Sequence, residues 1–339
     1  MILVFDIGGT SLRIGCYCEE QHRLVKQTRI ATPNFVNSPL RDRDLIEQLF
    51  RTMKNAADTL GLAYDTVVAA LPGPVTVDGC VTALPTVLGA KLDRPIPAVA
   101  LLQALFDMQN VHVLNDITAA GYRYLTSEHH TFHIVSSGSG IGSKLFIDGK
   151  PLTGNQGDAG EIGHLLHPLC PKELPCDCGG HGHVGAVSSG RGTLRLFKLR
   201  ARQQPTAYLN SALGKTTPTY DLLETSSLVE AFQQQDPWTL EVMDDAIRPL
   251  AHALAATRAV SGVASYILLG GFSCALGEPY RKRLAGLCAS FFDAGDWNDT
   301  IALGYADDNN GLIGCALYAQ GLLRHEHESQ PLQLLKPVQ

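Results

Sequence analysis

The sequence predicts an α/β protein of two domains, and three observations carry that reading. The chain has 339 residues and a mass of 36.5 kDa, too long for one small core. Strand-like and helix-like runs alternate along it. A unit of strand, glycine-rich turn and strand occurs twice, from Met1 to Arg13 and from Thr131 to Ile147, as a duplicated domain opening would.

Val4 and its neighbours, then Ile14 to Tyr17, then Leu24 to Ile30 read as a three-stranded antiparallel meander. From Asp44 to Leu60 the apolar positions Leu45, Ile46, Leu49, Phe50, Met53, Ala56 and Ala57 recur with helical spacing. Thr66 to Leu71 is a buried strand, stopped by Pro72-Gly73-Pro74. Val111 to Leu114 is another, ending in Asn115-Asp116 and running into a helix from Ile117 to Leu125. In the second part, Thr131 to Val135 and Ser143 to Ile147 pair around the turn Ser136 to Gly142. Helices are expected from Leu222 to Gln234 and from Glu241 to Val260, followed by a strand, Ser265 to Leu269, that delivers Gly270-Gly271. A closing helix around Gly311 to Ala319 is expected to pack back on the first domain. The charged, Pro-containing end from His325 reads as loose. This order describes a mixed sheet with ligand-facing turns at strand ends.

Hydrophobic residues make up 45% and charged residues 18% of the chain, enough to bury large cores and unlike a disordered composition. The net charge of -6 and the pI near 6.0, with no Lys/Arg-rich run, argue against a nucleic-acid surface. No stretch reaches the roughly 18 apolar residues of a membrane span, and no signal peptide is read. Nine scattered cysteines fit a reducing, cytoplasmic setting better than a disulfide scaffold.

The first turn is the most informative segment. In Asp6-Ile7-Gly8-Gly9-Thr10-Ser11 a strand ends near an acid that can hold a hydrated cation. Two glycines then let backbone amides approach a phosphate, with the Thr10 and Ser11 hydroxyls as further donors. The same residues also suit an ordinary hairpin turn. The Ser137 to Gly142 loop leads into a strand, not a helix, so it fails the context of a dinucleotide fingerprint. Further on, His164, Cys176, Cys178 and His183 supply two imidazoles and two thiolates within about twenty residues, a set that suits tetrahedral Zn²⁺. A metal-free glycine-rich loop is the alternative, and Cys170, His167 and His181 stand nearby as spare ligands.

Six segments in order carry a resemblance: Asp6 to Thr10, Pro72 to Val75, Asn115-Asp116, Ser137 to Gly142, Gly157 to His164, and Cys176 to Gly182. From Asp6 to about Gly314 the chain resembles the ROK family of sugar kinases and sugar-responsive repressors. The resemblance implies two ribonuclease H-like domains of the actin and hexokinase ATPase type, with nucleotide and sugar in an interdomain cleft. It divides the chain into 1–120 plus 312–330, carrying the first phosphate loop and the catalytic Asp, and 121–311, carrying the second phosphate loop, the zinc loop and the adenosine site. It also implies Mg-ATP as donor, a structural zinc, a small-molecule sugar and a homodimer; charge and composition leave no membrane or nucleic-acid partner expected.

Phosphoryl transfer asks a protein to position phosphates, neutralise charge and accept a proton, and the resemblance gives residues for each task. Gly8, Gly9 and Thr10 with Gly138, Ser139 and Gly140 would grip the phosphates, Asp6 the magnesium shell, and Gly270 and Gly271 the adenosine. Asp116 would be the general base, with Gly73, Asn115, Glu161 and His164 at the sugar. An Asx turn or helix N-cap is the plain alternative for Asn115-Asp116, and both roles can coexist. The family's zinc site uses the Gly-His histidine and three cysteines, and His183 stands here at the last cysteine.

Two usual sugar contacts depart from the family pattern. Gly185 stands where a glutamate is usual, and Thr86 where an asparagine commonly follows the proline. The phosphate and catalytic elements are kept, which points to altered sugar choice. Glucose is the default acceptor, with amino and N-acetyl hexoses as contenders and O6 as the hydroxyl. A non-catalytic sensor is the second reading. Repressors of the family carry a DNA-binding segment before the first strand, whereas here that strand begins at Met1, so a kinase is expected. A phosphoryl donor other than ATP is the third possibility.

Overall fold

The computed structural model describes residues 1–89 and 92–328, with side chains to residue 321. One compact unit comprises residues 1–124, 155–157 and 308 onward, and a second comprises 125–154 and 158–307; the divisions drawn from sequence stand at 120 and 312.

In the first unit β1 (Ile2–Ile7), β2 (Ser11–Cys18) and β3 (Arg23–Ala31) form the expected antiparallel meander. Helix α1 (Asp42–Leu60) precedes β4 (Thr66–Leu71), short α2 (Pro85–Leu88), α3 (Ala98–Phe106), β5 (Val111–Asn115) and α4 (Asp116–Tyr122). The sheet order is β3-β2-β1-β4-β5, with β1, β4 and β5 parallel. Because helices cover both faces, β1 is apolar on both. Leu3, Phe5 and Ile7 pack with α1, while Ile2 and Val4 pack with Leu312, Cys315 and Ala316 of α13 (Asn310–Glu328). That helix runs past His325, where a loose end was expected; the rest of that segment lies outside the described residues.

The second unit repeats the plan. Strands β6 (Phe132–Ser137), β7 (Ile141–Ile147) and β8 (Lys150–Pro151) are antiparallel. Helices α5 (Gly185–Ser188), α6 (Gly190–Gln203), α7 (Pro205–Asn210), α8 (Ala212–Thr216), α9 (Thr225–Gln233) and α10 (Pro237–Ser261) precede β9 (Tyr266–Leu269). After it come α11 (Gly271–Phe291), α12 (Trp297–Thr300) and β10 (Ile301–Leu303). The order β10-β9-β6-β7-β8, with β6, β9 and β10 parallel, matches the first sheet strand for strand. The duplication read from two glycine turns therefore extends to both whole sheets. Helix α11 was missed because Gly277, at φ 67°, and Pro279 break its periodicity. Among the described residues no helix is long and apolar enough to cross a membrane.

The nine cysteines are free thiols, and Cys16, Cys170, Cys288 and Cys315 are buried, as small apolar residues would be.

One core residue carries a pH consequence. His133 on β6 is 1% exposed, and neither ring nitrogen has a partner. Burial lowers its pKa from 6.5 to about 4. The unfolded chain therefore takes up this proton first, so the contribution of His133 to stability is full above pH 6.5 and is lost as the pH drops toward 4. Over that window the loss is about 3 kcal/mol. The expected outcome for His133→Phe is a smaller difference between urea midpoints at pH 7 and pH 4.5; an unchanged difference would acquit His133.

Candidate functional site

In the first unit the polar groups gather at the C-terminal ends of parallel strands, where open α/β sheets bind ligands. Asp6, near the end of β1, lies opposite Arg13 of β2 in register, and Arg13 Nη1 donates to Asp6 Oδ2 at 3.2 Å. Arg13 also pairs with Asp308 at 3.5 Å, which Arg29 reaches at 3.3 Å. Burial raises the Asp6 pKa, with Arg13 opposing it.

The Gly8 to Thr10 turn is a true hairpin turn, and it is also pinned from outside. The Gly8 amide donates to the Ser11 carbonyl at 2.9 Å. Thr32 Oγ1 donates to the Gly8 carbonyl at 2.8 Å and Asn34 Nδ2 to the Gly9 carbonyl at 2.7 Å. Thr32 and Asn34 escaped the sequence reading, since no motif marks two polar residues just beyond a strand. Thr86 is exposed, and its Cβ lies close to where a Gly9 side chain would begin.

Asn115 ends β5 and caps α4, accepting from the Ile117 and Thr118 amides at 3.1 and 3.0 Å. Its Nδ2 donates to the Gly73 carbonyl at 3.1 Å and to Asp116 Oδ1 at 2.9 Å. Asp116 Oδ1 also accepts from the Ile117 amide at 2.9 Å. The cap reading of Asn115 is thus realised, and the cap orients the neighbouring carboxylate. Gly73 takes part through its carbonyl.

In the second unit the turn Gly138 to Gly140 joins β6 to β7. The Gly138 amide donates to the Gly140 carbonyl at 3.0 Å, and the Gly138 carbonyl accepts from the Gly190 amide at 2.8 Å, so the start of α6 holds the turn. Ser139 and Gly140 are exposed. The two glycines after β9 divide in role. A Cβ on Gly270 would fall 2.3 Å from the Ser137 carbonyl oxygen, so its missing side chain admits the β6 backbone, whereas Gly271 faces open space. Of the two glycines expected to make room for a base and ribose, Gly271 alone has open space where a side chain would stand.

Glu161 and His164 lie on one short helical turn, Glu161 Oε2 3.9 Å from His164 Nε2. Burial raises the Glu161 pKa, with His164 and Lys144 opposing it. The buried Gly185 begins α5, and a Cβ there would lie 3.1 Å from the Gly163 carbonyl oxygen. A glutamate at 185 would press its Cβ on the backbone beside His164, which would have to give by a few tenths of an ångström.

His164, Cys176, Cys178 and His183 converge, their ligand atoms all within 4.8 Å of one another. Cys176 Sγ lies 3.9 Å from His164 Nδ1, and Cys178 Sγ 3.3 Å from His183 Nδ1. A tetrahedron with Zn–S of about 2.3 Å and Zn–N of about 2.0 Å has an S–N edge of about 3.5 Å, which these two separations bracket. Burial, then His164 and His181, lower the His183 pKa, a shift toward the neutral form a metal takes. The spare ligands are occupied elsewhere. Cys170 is buried in the core with its thiol pushed up to about 12, His167 packs on His252, and His181 Nδ1 lies 2.8 Å from the Lys172 carbonyl oxygen. Asp177, between the two cysteines, pairs with Arg191 and Arg195 of α6 at 3.2 and 2.9 Å, fastening the cysteine loop to that helix.

Paired α/β units of this kind, with glycine turns at equivalent strand ends, define the actin- and hexokinase-type fold of sugar kinases. The chain belongs to the ROK family, whose sequence pattern matches residues 2–321. It is 32% identical over 334 residues to a C(7)-cyclitol 7-kinase of Streptomyces hygroscopicus subsp. limoneus, covering 95% of this chain and 94% of that one. It is 26% identical to an N-acetylmannosamine kinase of Yersinia pestis, over 94% and 98% of the two chains. Among solved structures, a ROK family glucokinase from Streptomyces griseus in complex with glucose and AMPPNP matches at TM-score 0.73 and 25% identity, covering 94% of this chain and 99% of that one. The ROK hexokinase from Thermus thermophilus shares the fold at TM-score 0.71.

Proposed function

We propose that this chain transfers the γ-phosphate of Mg-ATP to a primary hydroxyl of a ring polyol, with Asp116 as general base. The observation that carries this reading is the fixed carboxylate at the end of β5. Asp116 Oδ1 is held by the Asn115 amide and the Ile117 N–H, which orients the group that takes the acceptor's proton. Asn115 then serves the acceptor by holding Asp116. The turns Gly8 to Thr10 and Gly138 to Gly140 would bind the phosphates, and Gly271 would leave room for the adenosine. The Asp6 carboxylate is a hard oxygen donor of the type Mg²⁺ takes through its water shell.

Glu161 and His164 would contact the acceptor. Zinc would be held by His164, Cys176, Cys178 and His183, and when bound it fixes the loop that presents His164. The acceptor class we favour is a cyclitol or a modified hexose, phosphorylated at an exocyclic hydroxyl equivalent to O6. The kinship with a cyclitol kinase and the changed positions Thr86 and Gly185 support it.

The test is a coupled ADP-release assay with Mg-ATP against a C7-cyclitol, glucose, mannose, fructose, N-acetylglucosamine, N-acetylmannosamine, glucosamine and 3-amino-3-deoxyglucose. Turnover is expected to be highest with the cyclitol or an amino sugar. Highest turnover with glucose would overturn the proposed acceptor class. Acceptor binding without turnover would replace the kinase reading by a sensor or another phosphoryl donor.

A further inference from the structure

We propose that Ser143 and Lys144, consecutive on β7, are positioning residues that clamp the segment Asp158 to His164 in the shape that presents Glu161. The inference rests on the acceptor role given to Glu161 and His164. Lys144 is 2% exposed and Ser143 3%. The Lys144 ammonium donates to the Ala159 carbonyl, and the Ser143 hydroxyl donates to the next carbonyl, that of Gly160. Gly160 stands at φ 93°, and a Cβ there would fall 2.8 Å from the Ser143 carbonyl oxygen, so the segment lies directly on the strand. Glu161 follows at once in the chain. The strand that begins just after the Gly138 to Gly140 turn thereby also fixes the acceptor residues.

A buried ammonium is expensive unless it is paired. For stability alone, an apolar side chain of similar volume often serves equally well. A charge kept under this loop therefore points to geometry as its purpose.

The test compares wild type with Lys144→Met at matched metal content. Amide exchange in residues 158–164 is expected to accelerate about tenfold, as loss of a charge-assisted hydrogen bond should allow. The acceptor KM should rise about tenfold as well, with the KM for Mg-ATP within about twofold of wild type. If Lys144→Met does not fold, Ser143→Ala is read by the same two measurements, with the same pattern expected at smaller amplitude. Unchanged exchange would overturn the clamp, and faster exchange with an unchanged acceptor KM would overturn its positioning role. Exchange is measured on the free protein, so a wild type without kinase activity would sink the proposed function while exchange still decides the clamp.

Discussion

Asp116→Asn is expected to lower turnover at least about 10²-fold while leaving acceptor and Mg-ATP binding nearly unchanged. General-base catalysis by a positioned carboxylate contributes about 10²- to 10⁴-fold. The substitution is selective because an asparagine oxygen can still accept from the Asn115 amide and the Ile117 N–H that now hold Oδ1. The cap, and with it α4, should survive, since Asn115 supplies it. What disappears is the ability to take a proton. Single-turnover rates would measure the loss, and calorimetric titration with acceptor and with a non-hydrolysable nucleotide would measure binding. Turnover equal to wild type would remove Asp116 from the mechanism, whereas lost binding would show that the carboxylate holds ligand and not merely the proton.

The second large effect concerns the metal loop. About one zinc per chain is expected by elemental analysis, with Cys176→Ser and Cys178→Ser reducing it to a small fraction, because thiolates dominate the affinity of such a set. Cys176 is buried and Cys178 exposed, so Cys176→Ser should cost more thermal stability. The damage should remain local. Asp177 still ties the loop to Arg191 and Arg195, and the core built from α6, α9, α10 and α11 does not include the exposed ligands. The melting transition of the variants should therefore fall while remaining cooperative. Metal-free protein with full stability and activity would refute the zinc assignment.

Much of the site was legible because its chemistry is local in sequence. The aspartate near the end of β1, the Asn115-Asp116 pair where β5 meets α4 and the four converging Cys and His side chains each lie on the strand end or loop where a short motif places them, and the neighbouring strand and turn signals were correct. The misreadings have equally specific causes. Gly270 looked like room for a nucleotide, but its space is taken by the Ser137 backbone, which belongs to a strand far away in sequence. Helices α6 and α11 went unread, the second because Gly277 and Pro279 interrupt it. Thr32, Asn34, Ser143 and Lys144 carry no motif at all, and only their partners reveal what they do.

The sequence by itself determined the alternation of strands and helices, the repeated glycine turns, the donor types of the Cys/His loop and the cap ahead of Asp116. Those properties depend on periodicity and on spacings within about twenty residues, over which the chain's own geometry constrains what can meet. Tertiary structure alone decided which polar group satisfies which. It joined Arg29 to Asp308, tied Asn115 to the Gly73 carbonyl and brought the Ser137 backbone against Gly270. A buried donor or acceptor must find a partner wherever folding brings one, and that partner can lie anywhere along the chain.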